Sequence, residues 1–190
     1  AVAFDLGRTF RDDLFAEYKG TRMKMPDELV PQIDLIRELV EAFDVPALTA
    51  EGYEADDILG TIARRAAGDG IDVLIVTGDS DSFQLIRPNV RVMSPGRLWS
   101  DIAIWDEKAV AARYDGLTPA QLIDFKALKG DSSDNIPGVR GIGEKGAGQL
   151  LKAYGSVEGI YDHLGEVTPP RAQNALEAGR DMAFLSKDLV

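Results

Sequence analysis

Apolar residues recur along this chain with two different periods. Leu29, Ile33, Ile36, Val40 and Phe43 follow at spacings of four, three, four and three, which predicts an amphipathic helix over 27–43. A second helix is predicted over 54–67, where Ile58, Ile62 and Ala66 line one face with Leu59 and Ala63 beside them. Around these lie AVAFD (1–5), ALTA (47–50), DVLIVTG (72–78) and VRVMS (90–94), runs rich in aliphatic residues that predict strands. Strands alternating with amphipathic helices predict an α/β fold, a mostly parallel sheet with helices on both faces. Beyond about residue 106 the strand pattern stops, and short helical stretches punctuated by Gly and Pro continue to the end. An α/β core over 1–105 and an all-helical subdomain over 106–190 are therefore expected. The charged segment RTFRDDLFAEYKGTRMKMP (8–26) suits a buried element poorly and reads as an excursion from the sheet.

Composition narrows the chemistry. With 190 residues and 45% hydrophobic content the chain can bury one substantial core, or a larger and a smaller one that share an interface. Asp and Glu number 32 against 21 Lys and Arg, a formal charge of -11, so bulk charge does not announce a nucleic-acid binder. There is no cysteine and one histidine, His163, which excludes disulfides and thiolate or histidine-rich zinc sites. A metal would have to be held by oxygen, which points to Mg²⁺ or Mn²⁺. No apolar run reaches membrane-spanning length and no signal peptide is visible, so a cytoplasmic protein without a membrane partner is expected. The opening Ala1 falls directly on a predicted strand, and a preceding N-terminal piece is expected outside this sequence.

Negative charge is concentrated in three places: GYEADDIL at the start of the second helix, GDSDS (78–82) after the third strand, and GDSSDN (130–135). Ligands of open α/β sheets bind outside the carboxyl ends of the strands. Asp5, Glu54, Asp56, Asp57, Asp79 and Asp81 can converge there, joined from the helical part by Asp131 and Asp134. Taken singly, each reads as well as a helix cap or a turn residue. Eight carboxylates in one place persist only with cations present or with raised pKa values. Two divalent ions ~4 Å apart, clamping the attacking and leaving oxygens of a phosphodiester, would use such a site. Neutralising those eight would reduce the formal charge from -11 to -3, a surface far less hostile to DNA.

Gly141-Ile-Gly-Glu-Lys-Gly146 matches a dinucleotide-binding glycine pattern literally, but a loop precedes it rather than a strand. The better reading is a helix-hairpin-helix: a helix over 119–129, a tight turn GVRGIG (138–143), and a helix from Glu144. Backbone N–H groups of Gly138, Gly141 and Gly143, with Arg140 and Lys145 beside them, could hold a phosphate without reading sequence. Glycine turns between helices are common, and adjacency to GDSSDN is what gives this one weight.

VAFD, FRDDLFAEYKGTR, GYEADDILG, TGDSDSFQL and GDSSDNIPGVRGIGEKGAGQLL occur in one order, and over essentially all 190 residues the chain resembles the 5′-nuclease domain of bacterial DNA polymerase I, within the flap endonuclease superfamily. The resemblance implies a 5′-3′ exonuclease and structure-specific flap endonuclease of replication and repair, acting on branched, flapped or nicked DNA. It implies two or more Mg²⁺ or Mn²⁺ ions on Asp5, Glu54, Asp56, Asp57, Asp79, Asp81, Asp131 and Asp134. Lys19 and Arg22 would take a catalytic role in a helical arch around the 5′ strand, with Arg11 and Tyr18 also contacting DNA. It further implies K⁺ on backbone carbonyls of the hairpin turn, and a polymerase domain in the same full-length chain.

The family carries one more strand and helix before VAFD, with a further Asp and a basic residue, and Gly146 stands where relatives often have a hydroxyl. Two rival readings remain: a DNA-binding module of this family that turns over little or nothing, and a small-molecule phosphate enzyme, which would leave the hairpin without a use.

Overall fold

The computed structural model describes residues 1–96 and 101–190. Its α/β part begins with β1 (Val2–Ala3), the short helix α1 (Phe10–Leu14), α2 (Val30–Ala42), β2 (Ala47–Leu48) and α3 (Ala55–Gly68). It continues with β3 (Val73–Val76), a 3-10 helix (Ser80–Leu85), β4 (Val90–Pro95) and β5 (Ile102–Trp105). The helical part comprises α4 (Glu107–Arg113), α5 (Gln121–Lys129), α6 (Glu144–Tyr154), α7 (Val157–Asp162), α8 (Pro170–Ala178) and α9 (Arg180–Leu189), with a short 3-10 turn at Leu164–Glu166.

The strands form two hydrogen-bonded groups. β1 pairs in parallel with β2, while β4 lies between a parallel β3 and an antiparallel β5. Both groups pack on α3, which holds them in one layer system. The expected strands are all present, the first three shorter and β4 one residue longer, and β5 adds an antiparallel edge that the sequence pattern did not single out.

Two expected faces differ. On α3 the buried line is Leu59, Ala63 and Ala67, one position around from Ile58, Ile62 and Ala66, and Ile62 is exposed. The stripe on α2 is uncovered: none of its residues is buried and Phe43, just past its end, is 71% exposed. That helix packs mainly against the two-residue β2, which is too small to cover four helical turns. The outer face of β3 is likewise open, with Val76 64% exposed.

The largest core lies in the helical part, where Phe125 and Leu128 of α5 meet Leu150 and Leu151 of α6 and Ile160 of α7. Val139 and Ile142 from the intervening turn are buried in the same cluster, so the hairpin is pinned from below by its own apolar residues. A smaller core joins Val90 and Val92 of β4 to Ala63 of α3 and Phe83 of the 3-10 helix. The third cluster, Tyr18 with Ile136 and Leu189, ties the 8–26 segment to the helical part. That segment is therefore less detached than its charge suggests, since Thr9, Arg11 and Tyr18 are all buried.

Candidate active site

The site is built where chain ends meet. At the head of α3 the Glu54 N–H donates to Asp57 Oδ2 at 2.8 Å, and the Ala55 N–H donates to Asp5 Oδ1 at 2.7 Å. Carboxylates satisfy orphan donors here and suit the positive end of the helix dipole. After β3, Asp79 caps the 3-10 helix by accepting from the Asp81 N–H at 2.9 Å. In the loop following α5, Asp131 accepts from the N–H and O–H of Ser133, at 2.9 and 2.6 Å. The 8–26 segment is drawn onto this loop, with the Lys19 N–H donating to the Asp134 carbonyl and Asn135 Nδ2 to the Glu17 carbonyl.

Asp5, Glu54, Asp56, Asp57, Asp79, Asp81 and Asp134 line one cavity of about 480 Å³, together with Arg11, Tyr18, Lys19 and Arg22. Asp131 lines an adjoining cavity of about 340 Å³ that shares Asp79 and Asp81 with the first. All eight expected carboxylates therefore lie on one continuous surface. Capping and a shared site are compatible, because a cap uses one lone pair of a group that offers several.

Five of the eight are nevertheless paired with cations of the chain. Lys19 Nζ sits 2.7 Å from Glu54 and 4.0 Å from Asp134, and Arg22 contacts Asp134 at 2.5 Å. Lys126 of α5 bridges Asp81 and Asp131. Among the described residues no three carboxylates converge as a ready-made metal cage. The chain's own cations lie between them.

The electrostatics follow. Asp56, whose neighbours Asp79 and Glu54 are both carboxylates, is pushed up to about 6 by desolvation and by those charges. Burial works against ionising Asp131, yet Lys126 and the Ser133 donors outweigh it and hold the group down at about 2. Burial raises Asp81 despite its contact with Lys126, and raises the Tyr18 hydroxyl, which also faces Glu54. The all-oxygen donor set and the uncompensated charge around Asp56 fit a hard divalent cation, which would relieve what the lysines leave unpaired.

Two of the expected DNA contacts, Arg11 and Gly138, are engaged within the chain. Arg11 is only 8% exposed; its terminal nitrogens donate to both Asp57 oxygens and its Nε to the Leu189 carbonyl, so three of its five donors are used within the chain. By the same pairing Asp57 is occupied by Arg11 and the Glu54 N–H, although it reaches the cavity wall. Burial opposes its ionisation, but these donors lower its pKa all the same. Gly138 is buried, and its N–H donates to Ser186 Oγ at 3.0 Å. At φ 64° a Cβ there would stand 2.3 Å from the Gly130 nitrogen, so the glycine permits a chain crossing rather than a ligand contact. Arg140, Gly141, Gly143 and Lys145 are exposed on the turn, as expected.

Lys126, Gln84 and Ser186 were not singled out by sequence. Gln84 Nε2 donates to the Val190 carbonyl, and Lys126 and Ser186 act across the loops described above. Only Lys126 carried a hint, as a basic residue five positions before Asp131, a spacing that no helix-surface rule links.

Comparison with known proteins places these features. Residues 1–115 match the family model for the 5′-3′ exonuclease N-terminal resolvase-like domain, and residues 117–190 match that for the 5′-3′ exonuclease C-terminal SAM fold. DNA polymerase I of Chloroflexus aurantiacus is 50% identical over 191 residues, covering 100% of this chain and 20% of its own length. DNA polymerase I of Bacillus subtilis is 46% identical, over 99% of this chain and 21% of its own. The chain thus spans about a fifth of the length of the curated relatives it matches. Among solved structures, a bacteriophage T5 protein co-crystallised with metal ions has a TM-score of 0.82 at 26% identity, over 99% of this chain and 73% of that one. A T5 flap endonuclease pseudo-enzyme–product complex with DNA and metal ions has a TM-score of 0.80 at 26% identity, over 99% and 72%. No helix among the described residues is long and apolar enough to cross a membrane.

Proposed function

The chain belongs to the 5′-3′ exonuclease family, and on that premise we propose that it is a metal-dependent 5′ nuclease that hydrolyses DNA phosphodiester bonds at flaps and nicks. The observation that carries this reading is the single carboxylate-lined surface fed by β1, α3, β3 and the 130–135 loop, with the hairpin beside it. Asp5, Glu54, Asp56, Asp79, Asp81, Asp131 and Asp134 would hold two or more Mg²⁺ or Mn²⁺ ions, while Asp57 serves as the cap that Arg11 fixes. Divalent cations, when bound, supply Lewis acidity to the scissile phosphate and stabilisation to the departing 3′ oxygen.

The chain's own residues position the substrate. Lys19 and Arg22 line the cavity beside Glu54 and Asp134 and, were those carboxylates to hold metal, would be free to meet the scissile phosphate at the cavity wall. The exposed N–H groups at Gly141 and Gly143, with Arg140 and Lys145, hold the duplex through its backbone and not its bases. The family resemblance adds K⁺ at that turn, a polymerase domain in the full-length chain, and a bacterial cytoplasmic setting near the nucleoid.

The absence of a closed carboxylate cage among the described residues favours a second reading, a DNA-binding module that turns over slowly or not at all. Cleavage of a 5′-labelled flap duplex with and without a chelator separates the two. Junction products that need the metal support the nuclease, and binding without products supports the module.

A further inference from the structure

Lys126 stands where a cation is wanted. It rises from the last turn of α5 and its ammonium contacts Asp81 of the 3-10 helix and, at 2.7 Å, Asp131 Oδ2. Its side chain is 15% exposed and those of its partners 25% and 14%, so water screens this triad poorly. Asp131 cannot turn away, because its other oxygen is held by both donors of Ser133. The backbone of Asp81 is fixed too, its N–H donating to Asp79 Oδ1. The two carboxylates therefore face each other across one monovalent charge.

We propose that Lys126 is a resident cation that competes with a divalent ion for the Asp81–Asp131 pair and yields to it when DNA binds. The inference rests on the proposed nuclease reading. An ammonium and a divalent ion cannot share this gap, since like charges a few ångströms apart repel strongly in a poorly screened site. The displaced side chain has somewhere to go: the 340 Å³ cavity it already lines is also bounded by Ser133 and Glu144. There a nucleic-acid phosphate can take the ammonium, so DNA and the divalent ion each favour the state that the other needs, and the coupling is reciprocal. Without DNA, the lysine offsets half of the pair's charge and keeps the loop in place.

Mn²⁺ binding to the 190-residue chain, followed by electron paramagnetic resonance, tests this without relying on turnover. Lys126→Met should bind Mn²⁺ roughly tenfold more tightly at one site than the parent, because a competing charge is gone. Equal or weaker binding by the variant, with the parent binding Mn²⁺ normally, would overturn the lysine's role and leave the nuclease reading intact. Failure of both proteins to bind Mn²⁺ would overturn both. Should Lys126→Met not fold, acylation of Lys126 in the parent by an N-hydroxysuccinimide ester, mapped by mass spectrometry, gives the same answer. Reactivity that rises on adding Mn²⁺ and a flap duplex supports displacement, and reactivity that does not change contradicts it.

Discussion

Arg11 grips Asp57 through both of its terminal nitrogens, at 2.8 and 2.9 Å, and donates its Nε to the carbonyl of Leu189 at 2.8 Å. One guanidinium thereby joins the start of the 8–26 segment, the head of α3 and the end of α9. Because Asp57 in turn accepts from the Glu54 N–H, the pair sets where Glu54 stands at the cavity wall.

Removing this guanidinium should destabilise the fold. Arg11→Ala leaves a mostly buried carboxylate without its partner, which costs about 3 kcal/mol, and Arg11→Lys should recover only part because a point charge cannot make the bidentate contact. Urea denaturation reads this directly. A fully stable Arg11→Ala protein with weakened duplex binding would return Arg11 to the DNA interface.

A second expectation concerns the hairpin. Arg140→Ala combined with Lys145→Ala should leave stability unchanged, since both side chains are exposed, and should flatten the salt dependence of duplex binding by about two units of log–log slope. Fluorescence anisotropy across a salt series measures it. An unchanged slope would mean that the phosphates are held elsewhere.

Gly138→Ala should behave in the opposite way. The new methyl would meet the Gly130 backbone and the residue would be held at φ 64°, so about 1–3 kcal/mol of stability should be lost from backbone strain alone. The refolded fraction should bind duplex normally. A stable variant that binds duplex weakly would identify Gly138 as a ligand contact after all.

Asp56 gives the metal-free protein a pH signature. Its folded pKa of about 6 lies above the ordinary 3.8, so between those limits the folded state binds more protons than the unfolded one. Stability from this group is present below about pH 4 and declines as pH rises towards 6. Asp131, at about 2 against 3.8, acts in a separate and more acidic window, where its contribution is lost as pH falls. The stability of Asp56→Asn relative to the parent, measured in chelator, should therefore rise between pH 4 and 6. A flat difference would show that Asp56 is not desolvated by its neighbours.

Much of this arrangement was legible in the sequence because it depends on local order. Carboxylates directly after strands and at a helix head, and glycines between two apolar helices, announce themselves by spacing. Long-range partners do not. Nothing near Arg11 reveals Asp57, which lies 46 positions away, and nothing distinguishes Gly138 from Gly141 before the chain crosses Gly130. Helical periodicity finds the apolar stripe of α2 but not what would cover it, and β2 offers too little surface. On α3 the period was right and its phase was off by one residue, since Leu59 and Ala63 are apolar as well and only packing chooses between the two lines.

The arch reading can be isolated from binding. Lys19→Ala with Arg22→Ala should slow flap cleavage by well over tenfold while changing duplex affinity only slightly, since both side chains lie at the carboxylate cavity and not at the hairpin. Equal losses in rate and affinity would make them ordinary DNA contacts.

The most direct measurement is cleavage of a 5′-labelled flap duplex by the parent chain and by Asp79→Ala, in Mg²⁺ or Mn²⁺ and in chelator. The account predicts junction products from the parent that vanish with chelator, none from Asp79→Ala, and equal duplex binding by both. Products that persist in chelator, or an Asp79→Ala protein that cleaves at the parent's rate, would contradict a carboxylate-held metal site as the seat of catalysis.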